Sequence, residues 1–258
     1  MSITSQAGRW WEIFLYQTYC QLRLESERLY IGYLWWGLET VLEMALLYAI
    51  FHSILAVPGE HYLSFLLCGL VCWRWFAQSV TRAAPSILQN QPLATQVFVP
   101  KLLFPLATLS ADAVKSVVGL VVLAAFLHLD GLSATAQWWA FPMVLATQFL
   151  FLCAAALWVA ALVPFLRSIL VGMEVALRFG MFLSGVFFDL DRVGRPLRGW
   201  LELNPMAVIL NAWRDVLMRA EWPNFSALGL VALCSLIAIA AAVRFVQQRE
   251  LLYPRLPA

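Results

Sequence analysis

The stretch WAFPMVLATQFLFLCAAALWVAALV, from Trp139 to Val163, decides the fold of this 258-residue chain. It contains no Asp, Glu, Lys or Arg. About 20 apolar residues, rising 1.5 Å each, cross the roughly 30 Å hydrocarbon layer of a bilayer. The stretch therefore predicts a membrane-spanning helix, and the chain is predicted to be an integral membrane protein.

The amino-acid composition excludes several classes of protein. The chain is 62% hydrophobic and only 12% charged, whereas soluble proteins are about half apolar and a quarter charged. A cytosolic globular enzyme is therefore excluded, and the 12 Trp and 17 Phe residues exclude a disordered chain. The formal net charge of +2 is too small for a phosphate-binding basic stripe, so we expect no nucleic acid partner. The five cysteines show no CxxC or Cys/His spacing, so we expect no metal site.

Five further apolar stretches bring the predicted number of membrane-spanning helices to six. Each is about 20 residues long, the length that one crossing requires. The predicted fold is therefore an all-α integral membrane protein, with one transmembrane domain over residues 1–258. The predicted spans are residues 34–55, 62–80, 106–127, 139–163, 169–188 and 225–243.

The distribution of Lys and Arg predicts the orientation. If the N-terminus is cytoplasmic, the inner segments carry nine of the 17 Lys and Arg residues, and the first two outer connections carry none. Cytoplasmic loops of membrane proteins have this excess of positive charge. We therefore expect both termini in the cytoplasm. The last outer segment, residues 189–224, is a partial exception, since five acids offset its five arginines.

The first 32 residues are predicted to form an amphipathic helix in the membrane interface. Trp10 and Trp11 recur with other apolar residues at helical spacing, among polar residues. Tryptophan favours the headgroup zone of a bilayer, which supports the interfacial position. The alternative is an ordinary soluble cap helix.

Two further segments are not predicted to cross the membrane. Residues 81–105 hold four prolines, which limit any helix to short pieces. Within them, Ser86 to Val99 has the length of a short cytoplasmic helix that docks on a partner, with a passive connector as the alternative. Residues 189–224, between the fifth and sixth spans, are too polar to cross and are predicted to form short outer or re-entrant helices.

Charged residues inside the predicted spans are candidates for a channel lining or gate. A charge that faces lipid costs at least about 2.5 kcal/mol, so these side chains should face protein or water. Glu39 and Glu43 share one face of the first span and cannot neutralise each other, so they need Arg74, another base, water or a proton. Two pairs have the spacing for mutual neutralisation within one helix, and structural pairing is their alternative role. These pairs are Asp112 with Lys115 and Glu174 with Arg178.

Several short motifs occur in order along this six-span frame. The string LYIGYLW precedes the first span, NQPL follows the second, and SGVFF and LNP lie at and after the fifth. In this order the sequence resembles the permeases of ABC transporters that export bacterial cell-surface polysaccharides. The GYLW form followed by glutamate is most similar to the capsule-export branch. The residues that carry the resemblance are 29–35, 90–93, Lys101, 104–105, 165–167, 184–188, 203–205 and Arg214.

The resemblance implies a transport subunit that is not an enzyme. The chain has no GxxxxGK[ST] phosphate loop, so we expect ATP and Mg²⁺ on a separate nucleotide-binding subunit and no cofactor on this chain. The family implies two copies of this chain with two ATPase subunits, a lipid-linked polysaccharide as substrate, and periplasmic and outer-membrane export components as further partners. The segment from Ser86 to Val99 would then be the coupling helix. Its candidate contacts with the ATPase are Asn90, Gln91, Leu93, Gln96, Val97 and Lys101.

A polysaccharide substrate adds two groups of candidates. Flat aromatic rings make wide, easily broken contacts with sugars and would suit a conduit, although interfacial belts and packing are the alternative roles. Arg23 and Arg28 are candidate contacts for the phosphate of the lipid linkage. The aromatic candidates are Trp35 and Trp36, with Tyr48, Trp73, Trp75 and Trp158 as further lining groups.

The sequence thus predicts the permease subunit of an ATP-driven exporter of lipid-linked capsular polysaccharide in the bacterial inner membrane. Export of O-antigen or teichoic-type polymer on a polyprenyl diphosphate carrier is the first alternative. A proton-coupled secondary transporter is the alternative of another class, although inverted-repeat hydropathy is not seen. No catalytic residues are predicted, because the three histidines lie far apart and form no Ser/His/Asp or HExxH pattern.

Overall fold

The computed structural model describes residues 3–28, 34–49, 61–90, 99–189, 194, 199–201 and 203–249. Over these ranges the regular secondary structure is helical and includes no strand, which confirms the predicted all-α class. A 3-10 turn at Ala136–Ala140 leads into the helix that begins at Phe141, and a π-helical turn at Asp215–Arg219 follows the helix that ends at Arg214. The helices are α1 (Ile3–Arg28), α2 (Leu34–Tyr48), α3 (Tyr62–Ala83), α4 (Ser86–Gln89), α5 (Leu103–Leu129), α6 (Phe141–Leu162), α7 (Ser168–Leu183), α8 (Pro205–Arg214) and α9 (Phe225–Gln248).

Within the described residues, four helical segments are long and apolar enough to cross a membrane. They coincide with the predicted second, third, fourth and sixth spans. The first predicted span falls on α2 and on residues 50–55, which lie outside the described residues, and the fifth falls on α7. Six spans therefore remain a prediction. The four segments are Tyr62–Gln89, Leu103–Leu129, Ala136–Leu162 and Phe225–Gln248.

The fifth predicted span differs from α7 at its end. The apolar run predicts helix to residue 188, but α7 ends at Leu183 and the chain turns at Ser184 and Gly185. Gly185 has a φ of 72°, a left-handed conformation that glycine adopts without steric penalty. Hydropathy alone predicted a longer helix because the residues after the turn are also apolar.

Helix α3 lies at the centre of the bundle. It packs against α5, α6 and α8, while α9 runs along α6 and α1 runs along α5. The buried face of α3 includes Leu66, Leu67, Cys68 and Cys72, each at most 1% exposed. The two thiols are free and fill space as small apolar side chains.

Helix α7 has few buried residues, unlike α3. Met173 is its one buried side chain, and partly buried side chains such as Leu177 and Met181 pack beside it against the core, while the opposite face is exposed. Val171, Phe179 and Leu183 are 68%, 64% and 59% exposed. An apolar surface of this kind requires lipid or another protein to cover it.

Helix α8 lies within the segment that the sequence predicts to contain short outer or re-entrant helices. Asn204 caps its N-terminus by accepting a hydrogen bond from the backbone N–H of Met206, and Pro205 occupies the first turn. The helix and the π-helical turn bury Trp213, Arg214 and Val216, each at most 1% exposed. A short helix is thus present, and its re-entrant position in a membrane stays a prediction.

Candidate functional site

Most of the charged residues predicted to line a channel surround one cavity of about 420 Å³ between α2, α3 and α5. The three helices contribute side chains from predicted spans that are well separated in the sequence. The cavity is therefore a site that tertiary packing assembles from the first three predicted spans. The predicted residues that line it are Trp35, Trp36, Glu39, Arg74, Trp75, Asp112 and Lys115.

Arg74 resolves the like-charge conflict on α2. Its guanidinium lies 2.5 Å from the Glu39 carboxylate and 2.5 Å from the Glu43 carboxylate. The two glutamates are four residues apart and so project from one face of α2 toward α3. The Arg74 side chain is 18% exposed and the two carboxylates are 43% and 44% exposed. The sequence indicated Arg74 as one possible partner of Glu39 and Glu43. The structure contains this pairing, which joins α2 to α3.

Asp112 forms a second charged cluster beside the first. Its carboxylate lies 2.5 Å from the Lys115 ammonium, as the i, i+3 spacing predicts, and 3.2 Å from the guanidinium of Arg82. The Asp112 side chain is only 5% exposed. Sequence reasoning did not propose Arg82 as a site residue, because it counted that residue among the cytoplasmic basic charges. Its position near the end of the predicted second span was the signal that could have suggested a partner in the third.

The two clusters balance each other electrically. Three cations and two carboxylates line the cavity, and Glu43, which pairs with Arg74 but does not line the cavity, brings the two clusters together to a formal net charge of zero. Charges placed inside a bundle at this density need pairing, because each unpaired ion loses its hydration without compensation. The arrangement can accept a polar ligand that both donates and accepts hydrogen bonds, and it is poorly suited to an isolated ion.

Glu174 and Arg178 behave differently from the other predicted pair. Both are exposed on α7, away from the cavity. Within the described residues, neither forms an ion pair within 4 Å, so the i, i+4 pairing left open by the sequence is not found there. Because charged side chains on a membrane helix should face protein or water, we expect Glu174 and Arg178 to face water or another protein chain.

The aromatic candidates divide into two groups. Trp35, Trp36 and Trp75 line the charged cavity, whereas Trp73 and Trp158 pack helices together. Trp73 lies against Gly180 of α7, and the Trp158 indole donates to the Ala238 carbonyl at 3.0 Å. Packing, the alternative role, therefore describes Trp73 and Trp158. Tyr48 is 47% exposed at the end of α2.

The predicted lipid-phosphate contacts lie on α1. Arg23 is exposed, and the side chain of Arg28 lies outside the described residues. The same helix contacts α5 through the Gln21 amide, which donates to the Thr108 hydroxyl at 3.2 Å. Trp11 and Tyr16 are 61% and 70% exposed on its open surface. The helix thus carries exposed aromatic rings, and its place in the interface stays a prediction.

The predicted coupling residues are only partly described. The Asn90 amide donates to the Ser86 carbonyl at 2.8 Å and so closes α4, and Lys101 is 6% exposed. The helix predicted from Ser86 to Val99 is confirmed only over α4, Ser86–Gln89, because residues 91–98 lie outside the described residues. The coupling role therefore stays a prediction. The candidates outside the described residues are Gln91, Leu93, Gln96 and Val97.

A second polar centre, which the sequence did not single out as a site, surrounds Arg214 at the end of α8. Its guanidinium donates to the carbonyls of Gly185 and Val186 at 2.9 and 3.0 Å and stacks 3.5 Å from the centre of the Phe65 ring. Burial lowers the pKa of Arg214 to about 10, so the group remains a cation near neutral pH. Arg214 therefore fastens the turn after α7 to the centre of the bundle.

Asn204 completes this fastening. Besides capping α8, its side-chain amide donates to the Ser184 hydroxyl at 3.0 Å and the Leu183 carbonyl at 3.3 Å. The motifs SGVFF and LNP, together with Arg214, thus meet at one place in the fold. Their spacing in the sequence reflects a structural connection between the end of α7 and the beginning of α8.

A third buried polar connection lies between α3, α6 and α8. The Gln148 amide donates to the Cys72 carbonyl at 2.9 Å, and its oxygen accepts from the Trp213 indole at 2.5 Å. Gln148 and Trp213 are fully buried. In the described part of the chain, no group of three His, Cys, Asp or Glu side chains could hold a metal ion. Gln148 thus joins α3 and α8 through two buried hydrogen bonds.

Comparison with known proteins agrees with this architecture. The O-antigen export system permease protein RfbA of Klebsiella pneumoniae is 23% identical over 213 residues, which are 82% of this chain and 82% of that protein. The protein of the same name from Myxococcus xanthus is 24% identical over 234 residues, which are 89% of each chain. Residues 29–218, which include the charged cavity and the Arg214 centre, match the family model described as ABC-2 type transporter. The chain belongs to the ABC-2 type transporter family.

Proposed function

We propose that this chain is the permease subunit of an ATP-driven exporter that moves a lipid-linked polysaccharide of the O-antigen class across the bacterial inner membrane. The observation that carries the proposal is the similarity to two permeases named for O-antigen export, which extends over more than four fifths of each chain. The family membership and the apolar helices of membrane-spanning length support the transport role.

The relatives change the expected cargo. The sequence favoured capsular polysaccharide on the GYLW form, yet the relatives named above carry O-antigen export in their names. We therefore prefer O-antigen-type polymer, and polyprenyl diphosphate is the carrier that this choice favours.

The energy source is proposed to be a separate ATPase. These 258 residues contain no phosphate loop, and their family is that of ABC transporters, whose transport is coupled to ATP. The coupling contact is proposed to lie at the segment from Ser86 to Val99. Both termini are proposed to lie on the same cytoplasmic side as this contact, in keeping with the distribution of Lys and Arg.

The working unit is proposed to contain two copies of this chain. Helix α7 exposes a largely apolar surface, and Glu174 and Arg178 lie on it. A charged side chain on a membrane helix should face protein or water. A second copy, with a polar conduit between the two, would supply both surroundings.

The first test is genetic. Deletion of the gene that encodes this chain should abolish the surface polymer of its host and cause lipid-linked polymer to accumulate inside the cell. The unchanged gene should restore export. The double substitution Glu39→Gln with Glu43→Gln, at normal protein level, should reduce export if the acids of α2 take part. Surface polymer that persists without this chain would contradict the proposal.

A matched deletion separates this proposal from the secondary-transporter alternative. Loss of the cognate ATPase should give the same accumulation as loss of this chain, because both are required for one reaction. Export that continues without the ATPase and stops when the proton gradient is collapsed would overturn the ATP-driven mechanism.

A further inference from the structure

We propose that a groove between α3, α6 and α7 binds one acyl chain of a membrane phospholipid. The groove has a volume of about 520 Å³ and shares no lining residue with the charged cavity between α2, α3 and α5. The phospholipid would be a resident component of the permease and not its cargo. The inference therefore does not depend on the identity of the exported polymer.

The groove runs along the helices that form it. Its floor is one face of α3, from Trp73 through Phe76 to Val80, and one wall is a face of α6, from Phe151 to Val159. Residues spaced by three or four positions lie on the same side of a helix, so each set forms a row parallel to its helix axis. The groove therefore extends along the bundle, as an acyl chain in a bilayer does.

The second wall is a row of small residues on α7. Gly172, Ala176 and Gly180 follow each other at four-residue spacing and line the groove. The row leaves room beside the helix, because a Cβ added at Gly172 would meet no atom within 4 Å. Glu174 and Arg178 lie about 160° around the helix from the middle of this row. The charged side of α7 is thus turned away from the groove.

The length of the groove corresponds to one leaflet of a bilayer. On α3 and α6 the groove extends from the middle of each helix to its last turn, and on α7 it extends from Ile169 to Ser184. At 1.5 Å per residue, these stretches are about 10, 12 and 22 Å long. One leaflet is half of the roughly 30 Å hydrocarbon layer, or about 15 Å. A single acyl chain from one leaflet therefore matches the groove.

The polarity of the lining favours a hydrocarbon ligand. Among the described residues that line the groove, none is Asp, Glu, Lys or Arg. Ser184 and Asn204 lie at one end, and both already bond to protein. The Ser184 hydroxyl donates to the Gly180 carbonyl at 2.7 Å and accepts from the Asn204 amide at 3.0 Å. A sugar or a phosphate in the groove would lose its hydration without compensation, whereas an acyl chain would lose none.

The size of the groove separates an acyl chain from two bulkier occupants. A helix is about 10 Å across with its side chains, so a piece 15 Å long would occupy roughly 1,200 Å³. That volume is more than twice the volume of the groove. A polyprenyl chain carries methyl branches at regular intervals and is wider than a straight acyl chain. Protein interiors leave few voids, and acyl chains are the narrow apolar molecules that surround this protein in a membrane.

A bound acyl chain would give α7 a second packing surface. Helix α7 packs directly against α3, and Met173 is its one buried side chain. A chain in the groove would contact Met173 and Leu177 on α7 and Ala155 on α6. The lipid would thus connect α6 to α7, and its removal should lower the thermal stability of the protein.

Photo-cross-linking of a retained phospholipid tests this proposal. The full-length chain is reconstituted with phosphatidylcholine that carries a diazirine in the middle of one acyl chain. It is then extracted into lipid-free detergent, washed and irradiated. We expect one phospholipid per chain to survive the washing, and peptide mass spectrometry to find its adducts on the groove residues of α6 and α7. Complete loss of lipid on washing, or adducts equally frequent on the exposed surface of α9, would overturn the proposal.

A matched pair of substitutions connects the retained lipid to the groove. Ala155→Phe places a ring in the groove and should weaken lipid retention about tenfold, the factor that about 1.4 kcal/mol provides. Ala240→Phe makes the same change at an exposed position of α9 and should leave retention unchanged. If Ala155→Phe does not yield folded protein, Gly172→Leu fills the groove from α7, with Gly229→Leu on α9 as its control. Groove variants that retain lipid as the unchanged chain does, or controls that lose as much, would refute the site.

Competition distinguishes the phospholipid from a polyprenyl carrier. Polyprenyl phosphate is added to the washed chain at the same concentration as the photoreactive phosphatidylcholine. We expect the phosphatidylcholine to stay bound, because the branched chain is too wide for the groove. Displacement of the phosphatidylcholine would contradict the assignment to an acyl chain and would leave the proposed export function intact.

Discussion

The guanidinium of Arg74 on α3 lies 2.5 Å from the carboxylate of Glu39 on α2, and it also lies 2.5 Å from Glu43. One cation thus neutralises two acids that share a helix face. It connects the helix at the first predicted span to the central helix of the bundle. Loss of the cation would leave two like charges facing each other at a helix interface.

Arg74→Gln should therefore destabilise the protein. We expect the free energy of unfolding to fall by about 1 to 2 kcal/mol. The loss is small for a broken charged pair because both glutamate side chains are more than 40% exposed. Thermal unfolding of the purified chain in detergent measures the effect. Arg178→Gln is the control, because Arg178 is exposed on α7. This variant should unfold near the temperature of the unchanged chain. Recovery in the triple variant with Glu39→Gln and Glu43→Gln should confirm the coupling, and its absence would contradict it.

Gly69→Ala should disturb the Arg214 centre. A Cβ at Gly69 would lie 2.6 Å from the Arg214 guanidinium and 3.2 Å from the Val186 carbonyl, both in a buried region. We expect the free energy of unfolding to fall by about 1 to 3 kcal/mol, which is the usual effect of overpacking a buried site. Gly172→Ala on α7 is the matched control, because a Cβ there meets no atom within 4 Å. Equal unfolding temperatures for the two variants would show that the Arg214 centre is not tightly packed.

Two substitutions at Asn204 separate its two functions. Asn204→Ala removes both the cap on α8 and the hydrogen bonds to Ser184 and Leu183, and should cost about 1 kcal/mol or more. Asn204→Asp keeps an oxygen that caps the helix but removes the donating amide. We expect its unfolding temperature to lie between those of Asn204→Ala and the unchanged chain. An Asp variant as unstable as the Ala variant would assign the whole effect to the connection with α7.

Cross-linking tests the proposed contact of α7 with a second copy. Phe179→Cys, in a chain whose exposed native thiol is removed by Cys234→Ser, should form disulfide-linked dimers on mild oxidation of native membranes. Leu236→Cys is the control, because Leu236 is also exposed but lies on α9, a helix of membrane-spanning length that is outside the proposed contact. Denaturing gel electrophoresis without reductant measures the dimer fraction. Monomer only at Phe179→Cys, or equal dimer at both positions, would contradict the assignment.

Local sequence patterns predicted the elements better than they predicted the contacts between them. Hydropathy located α3, α5, α6 and α9 because each is a predominantly apolar stretch long enough to cross a bilayer. The shared face of Glu39 and Glu43 indicated that a base was needed, and Arg74 is that base. The spacing of Asp112 and Lys115 predicted their pair, but the contribution of Arg82 depends on how α3 packs against α5.

The interior position of α8 was harder to predict. Its segment contains arginines and acids, so composition placed all of it outside the spans. Arg214 is nevertheless buried, because backbone carbonyls exposed by the turn at Gly185 satisfy its guanidinium. That turn requires a left-handed glycine, and hydropathy does not report backbone conformation. The link between Trp213 and Gln148 likewise joins residues far apart in the sequence.

Reconstitution is the most direct test of the central claim that this chain is a permease whose transport is driven by a separate ATPase. The purified chain is placed in liposomes with and without its cognate nucleotide-binding subunit, and the movement of lipid-linked O-antigen-type polysaccharide across the bilayer is measured. We expect ATP-dependent translocation only when both subunits are present. Translocation by this chain alone, or translocation driven by a proton gradient without ATP, would contradict the account.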